Sequence, residues 1–171
     1  MPITKPGSDE YGPYYDTYVS KVPGTCALAA LEAQRESTRQ FLATIPESRA
    51  AFRYAPGKWT LREVIGHMAD TERVFGYRMF CFARNDKSPL PSFDENAYAP
   101  EGRFEQRTLA DVVAEFTAVR DATLPLARSM DAETILRRGT ASGLTMSARA
   151  AAWIIAGHEL HHLAVLRERY L

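Results

Sequence analysis

A chain of 171 residues, 46% of them hydrophobic, is long enough for one domain with a sizeable core. Lysine plus arginine and aspartate plus glutamate each total 21, so the formal charge is zero and the basic stripe that grips nucleic-acid phosphates is not expected. The longest uncharged apolar run, Ala150 to Gly157, is too short to cross a bilayer, the opening Met1-Pro2-Ile3-Thr4-Lys5-Pro6 lacks the apolar run of a signal peptide, and Cys26 and Cys81 form no C-x-x-C, so both read as reduced thiols of a cytoplasmic protein.

Residues 1–23 form a tyrosine-rich lead (Tyr11, Tyr14, Tyr15, Tyr18) broken by prolines and glycines, expected to be an extended N-terminal arm. Its tyrosines either pack on the outside of the core or line the mouth of a site. Residues 24–171 read as one helical domain. A first helix is predicted from about Thr25 to Ile45, with Leu28, Leu31, Thr38, Leu42 and Ile45 near one stripe and Pro46 ending it. A second opens at the capping box Thr60-Leu61-Arg62-Glu63 and runs to about Arg84, with Leu61, Ile65, Met68, Phe75, Met79 and Phe82 at helical spacing. The segment from about Asn85 to Arg107 is long for a bundle loop and leaves the second and third helices free to run parallel. A third helix begins near Thr108, and Pro125 inside it predicts a kink or an early end. A fourth runs from near Ser147 to about Tyr170, with Ala151, Ile154, His158, His162 and Val165 on one side. No stretch alternates convincingly with period two, so β content should be small. The fold class expected is all-α, a four-helix bundle with long connecting loops.

The fourth helix carries His158-Glu159-Leu160-His161-His162, an H-E-x-x-H string. Residues four apart share a helix face, so His158 and His162 can hold one ion. No histidine follows them, and His67 on the second helix is the remaining candidate for a third ligand. His67 lies seven residues after Thr60, roughly 10 Å along the axis, and His162 eight residues before Tyr170, roughly 12 Å from that end. Antiparallel packing of the two helices would bring these levels together. His161 points away from the pair and reads as flanking. Three buried imidazoles without partners would be costly, whereas a divalent ion uses all three lone pairs and keeps positions open, as catalytic sites do. Glu159 could act as general base, accept a bond from an imidazole N–H, or pair with an arginine. Glu72, on the inward stripe of the second helix, reads as a paired structural carboxylate. Asp70 could orient His67 or be solvated. Gly66 and Gly157, beside His67 and His158, mark either close packing or room for a ligand.

Beyond the histidines, three blocks of sequence carry a wider likeness: Lys58-Trp59-Thr60-Leu61-Arg62-Glu63-Val64-Ile65-Gly66-His67 with Asp70, Glu72 and Arg73; Pro89-Leu90-Pro91 with Phe93-Asp94-Glu95-Asn96-Ala97-Tyr98; and Ile155-Ala156-Gly157-His158-Glu159-Leu160-His161-His162. Together with Tyr11-Gly12-Pro13-Tyr14-Tyr15 and Tyr54-Ala55-Pro56-Gly57-Lys58, they make the chain resemble the DinB/YfiT-like superfamily of metalloenzymes along nearly its whole length. The resemblance implies an up-down-down-up four-helix bundle, often paired as a homodimer. It also implies a divalent ion, nickel or zinc most often, held by His67, His158 and His162. Characterised relatives include thiol-dependent S-transferases and a mycothiol-dependent isomerase, and others are called hydrolases.

The leading expectation is a metal-dependent enzyme acting on a small molecule. Its three-histidine site would activate either water or a low-molecular-weight thiol, with Glu159 as a possible proton acceptor. The rival is a non-catalytic metal-binding stress-response module working as a dimer. A zinc-protease reading is remoter, because an all-helical bundle offers no exposed strand edge to an extended peptide.

Overall fold

The computed structural model describes residues 1–171. In chain order the elements are α1 (Asp16–Val19), α2 (Ala27–Ala43), α3 (Leu61–Ala83), α4 (Glu95–Glu101), α5 (Leu109–Arg128), the strands β1 (Arg138–Ala141) and β2 (Leu144–Ser147), and α6 (Ala148–Val165), which widens into a π-turn over Leu166–Tyr170. The helix starts follow from side chains that satisfy orphan N–H groups. Thr60 Oγ1 accepts from Glu63 N at 3.1 Å while Glu63 accepts from Thr60 N at 2.6 Å, the reciprocal box that opens α3. Thr108 caps α5 and Ser147 caps α6 in the same manner, through Asp111 N at 3.1 Å and Ala150 N at 3.0 Å. α5 does not end at Pro125 but continues to Arg128. Proline falls in the last turn, where little ladder remains to be broken.

The core is divided into two apolar clusters, and the division gives the topology. α2 places Ala27 and Leu31 in one cluster and Leu42 in the other; α6 runs the same way, from Ala148–Ala156 to Leu163. α3 and α5 run oppositely. Their N-terminal residues Leu61, Val64, Ile65, Leu109 and Val112 belong to the second cluster, and Phe75, Met79, Phe82, Leu124 and Ala127 to the first. The order is therefore up-down-down-up, with α3 and α5 parallel and α6 antiparallel to α3. Tyr170 Oη confirms the last pairing by donating to Trp59 O at 2.7 Å, just before α3 begins. Between the clusters lies a buried polar waist. It draws Gln34 and Thr38 from α2, His67, Thr71 and Glu72 from α3, Arg120 from α5, and His158 and Glu159 from α6.

The parallel α3–α5 pair requires the long crossover, which winds α4 along the way and is pinned to the hairpin by Leu90 N to Thr140 O at 2.9 Å and Ser142 N to Leu90 O at 3.1 Å. The hairpin turn is Ser142-Gly143, with φ of 54° and 75°, the two-residue primed turn that suits twisted strands. The N-terminal arm winds short turns at Ser8–Glu10, Pro13–Tyr15 and α1. It is anchored by Trp153 Nε1 donating to Ile3 O at 3.0 Å and by Arg149 paired with the buried Glu10. It covers α6, which explains why Ala150 to Gly157 is apolar all round: a helix buried on every side has no polar face. Cys26 and Cys81 are unpaired. No helix is long and apolar enough to cross a membrane.

Candidate metal centre

Antiparallel α3 and α6 bring His67 to the level of His158 and His162. His67 Nε2 and His162 Nε2 each lie 3.0 Å from His158 Nε2, and the three potential donor atoms all fall within 4.8 Å of one another. A single Nε2 thus faces two others, and neutral imidazoles cannot place a well-directed proton in both contacts. A cation takes all three lone pairs instead. Two ligands about 2.0–2.1 Å from a tetrahedral ion stand roughly 3.3 Å apart, close to the 3.0 Å at which His67 and His162 each stand from His158. The donor set therefore fits a divalent metal ion that takes imidazole ligands. Burial, then the nearby His161, lowers the His67 pKa to about 4. Burial and the neighbouring imidazoles hold His158 and His162 well below the ordinary histidine value. All three are neutral at pH 7, the state a ligand requires.

Aromatic rings fix the imidazoles. Trp59 packs at 4.7 Å between ring centroids on His67, and Tyr18 presents its edge to His158 at 5.2 Å and to His161 at 5.6 Å. Both glycines singled out in the sequence serve close packing. A Cβ on Gly157 would come 2.0 Å from the backbone oxygen of Tyr18, and one on Gly66 would meet the Phe104 ring at 2.4 Å. His161 lies outside the three-donor group and packs on His162 at 4.9 Å.

Two cavities meet the cluster. One, of about 110 Å³, is lined by Tyr14, Tyr15, Tyr18, Arg78 and Glu95 and reaches His67 and His158. The other, of about 310 Å³, lies between Lys58, Trp59, Asn96, His161 and His162. A larger groove of about 650 Å³ between α2 and α5 shares no residue with the cluster, so size alone does not mark the chemistry here. The arm tyrosines thus line a site mouth as well as pack.

Glu159 follows His158 but is engaged elsewhere. Its Oε1 accepts from the Thr38 hydroxyl and its Oε2 from Arg120 at 2.5 Å, while Arg120 also holds both oxygens of Glu72 at 2.8 Å and donates to Leu31 O at 3.3 Å. Burial disfavours the Arg120 charge, yet the two carboxylates outweigh it and raise its pKa. Burial also pushes the Glu159 carboxyl up, against the pull of Arg120 and Thr38. Glu72 is thus a paired structural carboxylate, and Asp70 pairs with Arg73 at 3.2 Å. Sequence reasoning did not single out Arg120 or Arg78. The available signal was an arginine in register with an inward apolar stripe: Arg120 after Val112 and Phe116, Arg78 after Thr71 and Phe75.

Solved structures share this architecture. YfiT from Bacillus subtilis, described as a probable metal-dependent hydrolase with an unusual four-helix bundle topology, superposes with a TM-score of 0.69 at 18% identity, covering 96% of this chain and 90% of that one. The mycothiol-dependent maleylpyruvate isomerase and a single-substitution variant of it each give 0.63 at 15% identity, over 80% of this chain and 58% of theirs. At these identities the likeness is one of fold. Among curated proteins none matches significantly. The DinB superfamily model matches residues 30–166, most of the chain, and the protein belongs to that superfamily.

Proposed function

We propose that this protein is a divalent-metal-dependent enzyme acting on a small molecule, with His67, His158 and His162 as ligands. The observation that carries the reading is the convergence of three neutral imidazoles, two of which, His67 and His158, line a cavity. When bound, a nickel or zinc ion would supply Lewis acidity at its open positions, sufficient to activate water or a low-molecular-weight thiol. The remaining chemistry falls to the chain. Trp59 and Tyr18 hold the imidazole planes. Tyr18 lines the cavity with a hydroxyl 3.1 Å from that of Tyr14; burial, then this contact, raises its pKa, so it stays protonated and available as a hydrogen-bond donor to a substrate oxygen. The arm, through Tyr14, Tyr15 and Tyr18, and the crossover, through Phe93 and Glu95, both line the cavity.

The proposed place of Glu159 is a positioning one. Its ion pair with Arg120 ties α6 to α5, and its bond from Thr38 ties α6 to α2, which sets the rotation of the helix that presents His158 and His162. A base role would require it to release one of these partners. The rival reading, a metal-binding module without catalysis, is disfavoured because no fourth histidine, cysteine or carboxylate joins the three imidazoles and a cavity adjoins two of them, His67 and His158. A homodimer is retained as a proposal, with the apolar α2–α5 groove as the available face.

Elemental analysis of protein purified without chelator or nickel affinity resin is the first test. About one equivalent of metal in the wild type and none in His67→Ala is expected; equal content in both would overturn the ligand set. Electrophile conjugation assayed with and without added thiol then separates the two chemistries, because activity indifferent to thiol removes the transferase form.

A further inference from the structure

Two arginines are almost completely buried, and they are treated oppositely. Arg120 is met by two carboxylates. Arg78, 2% exposed, is met by none within ion-pairing distance. Its Nη2 donates to Pro91 O and Ser142 Oγ, each at 3.0 Å, and its guanidinium lies 4.8 Å from the Phe75 ring centroid. Its Nη1 has no partner at all. Glu95, half-buried on the same cavity, stays outside ion-pairing range. A guanidinium cannot shed its proton, so a permanent positive charge is held in the protein without a counter-ion. Buried charges are ordinarily paired, and this one lines the cavity that reaches His67 and His158.

We infer that Arg78 is the anchor for a carboxylate on the substrate, and that the small cavity takes a short-chain acid whose other end faces the histidine cluster. Arg78 lies eleven residues after His67, three turns along the same face of α3, roughly 16 Å between backbones. Its side chain leans back toward the helix N-terminus, shortening that gap. A cavity of about 150 Å³ holds benzene. The 110 Å³ here fits a chain of about four or five heavy atoms with an acid at one end. Arg78 is suited to the task because its unpartnered Nη1 can give a carboxylate a charge-assisted hydrogen bond. The two Nη2 bonds to the crossover and the hairpin fix the guanidinium plane in advance and leave Nη1 free, and Phe75 supports its face.

The inference rests on the metal-enzyme reading only for what the acid is doing there, and its test is independent of metal. Chelator-treated protein is titrated with propionate and, separately, with propionamide, its neutral isostere. Binding is followed by calorimetry and by the Nε–Hε resonance of Arg78 in ¹⁵N NMR. Propionate should bind and move that resonance, the amide should do neither, and Arg78→Gln should weaken propionate at least tenfold, with Arg78→Lys intermediate. Equal responses to acid and amide, an unmoved Arg78 resonance, or undiminished binding by Arg78→Gln would each overturn the assignment. Should Arg78→Gln fail to fold, the wild-type titrations decide alone. A missing metal leaves this result intact, and a missing acid response leaves the metal analysis intact.

Discussion

Replacing Arg120 by methionine should destabilise the protein more than any other single change at the waist. The side chain is 1% exposed and makes four hydrogen bonds: two to Glu72 at 2.8 Å, one to Glu159 at 2.5 Å and one to Leu31 O at 3.3 Å. Methionine fills much of the volume, so the cavity contribution is small. What remains is a pair of buried carboxylates that have lost their cation. Breaking a buried ion pair by removing one partner costs about 3–5 kcal/mol. A domain of this size loses about 2–4 °C of Tm per kcal/mol, so a fall of roughly 6–20 °C is expected. Far-UV circular dichroism melts and urea unfolding of chelated protein measure it. The pH dependence supplies the refuting result. Burial already raises the Glu159 carboxyl pKa against the pull of Arg120; without Arg120 this carboxyl protonates in the folded state first, and the variant's deficit should shrink as pH falls from 8 toward 5. A deficit below about 3 °C, or one that does not change with pH, would refute the claim that this guanidinium neutralises the waist. Exchanging the whole triad, Glu72→Leu with Arg120→Met and Glu159→Leu, should recover most of the loss, because no charge is then left alone.

Glu159→Gln should keep the metal stoichiometry and lower Tm by only a few degrees; a hundredfold loss of turnover at preserved Tm would instead make this residue the base. Metal-free protein should weaken on acidification. The folded pKa of His67 is about 4 against about 6.5 for an ordinary histidine, so the unfolded chain takes up the proton first. Stability present above pH 6.5 is lost as pH falls toward 4, about 3 kcal/mol from His67 alone, read as a falling urea midpoint. Gly157→Ala should dislodge the arm, since its new methyl would sit 2.0 Å from the Tyr18 carbonyl oxygen. A cost of about 1–3 kcal/mol and faster tryptic cleavage at Lys21 are expected, and unchanged cleavage would refute the packing argument.

Local rules made most of the scaffold readable. Thr60, Thr108 and Ser147 mark helix starts in sequence because a hydroxyl or carboxylate at a cap has a fixed local job. The histidines were readable because i, i+4 spacing and an inward stripe define a facing without tertiary knowledge. The limits come where a residue's meaning depends on a distant partner. Arg120 is an ordinary surface residue type until Glu72 and Glu159 arrive from two other helices. Arg78 gains its significance from the absence of such a pair, which no spacing rule encodes. The hairpin was missed because its strands are four residues each, too short for period-two alternation to show, although Ser142-Gly143 is a turn signal. The polar faces of the arm conceal its role as a cover for α6, which the all-apolar run Ala150 to Gly157 hinted at from the other side.

The polar waist divides the interior into two separately packed apolar ends. Each end of the bundle closes on its own oily filling, so exchanges among the groups lining the middle need not disturb the packing above or below. A scaffold divided this way can change the groups around its histidines a few at a time, provided the Glu72–Arg120–Glu159 network is kept or exchanged as a whole.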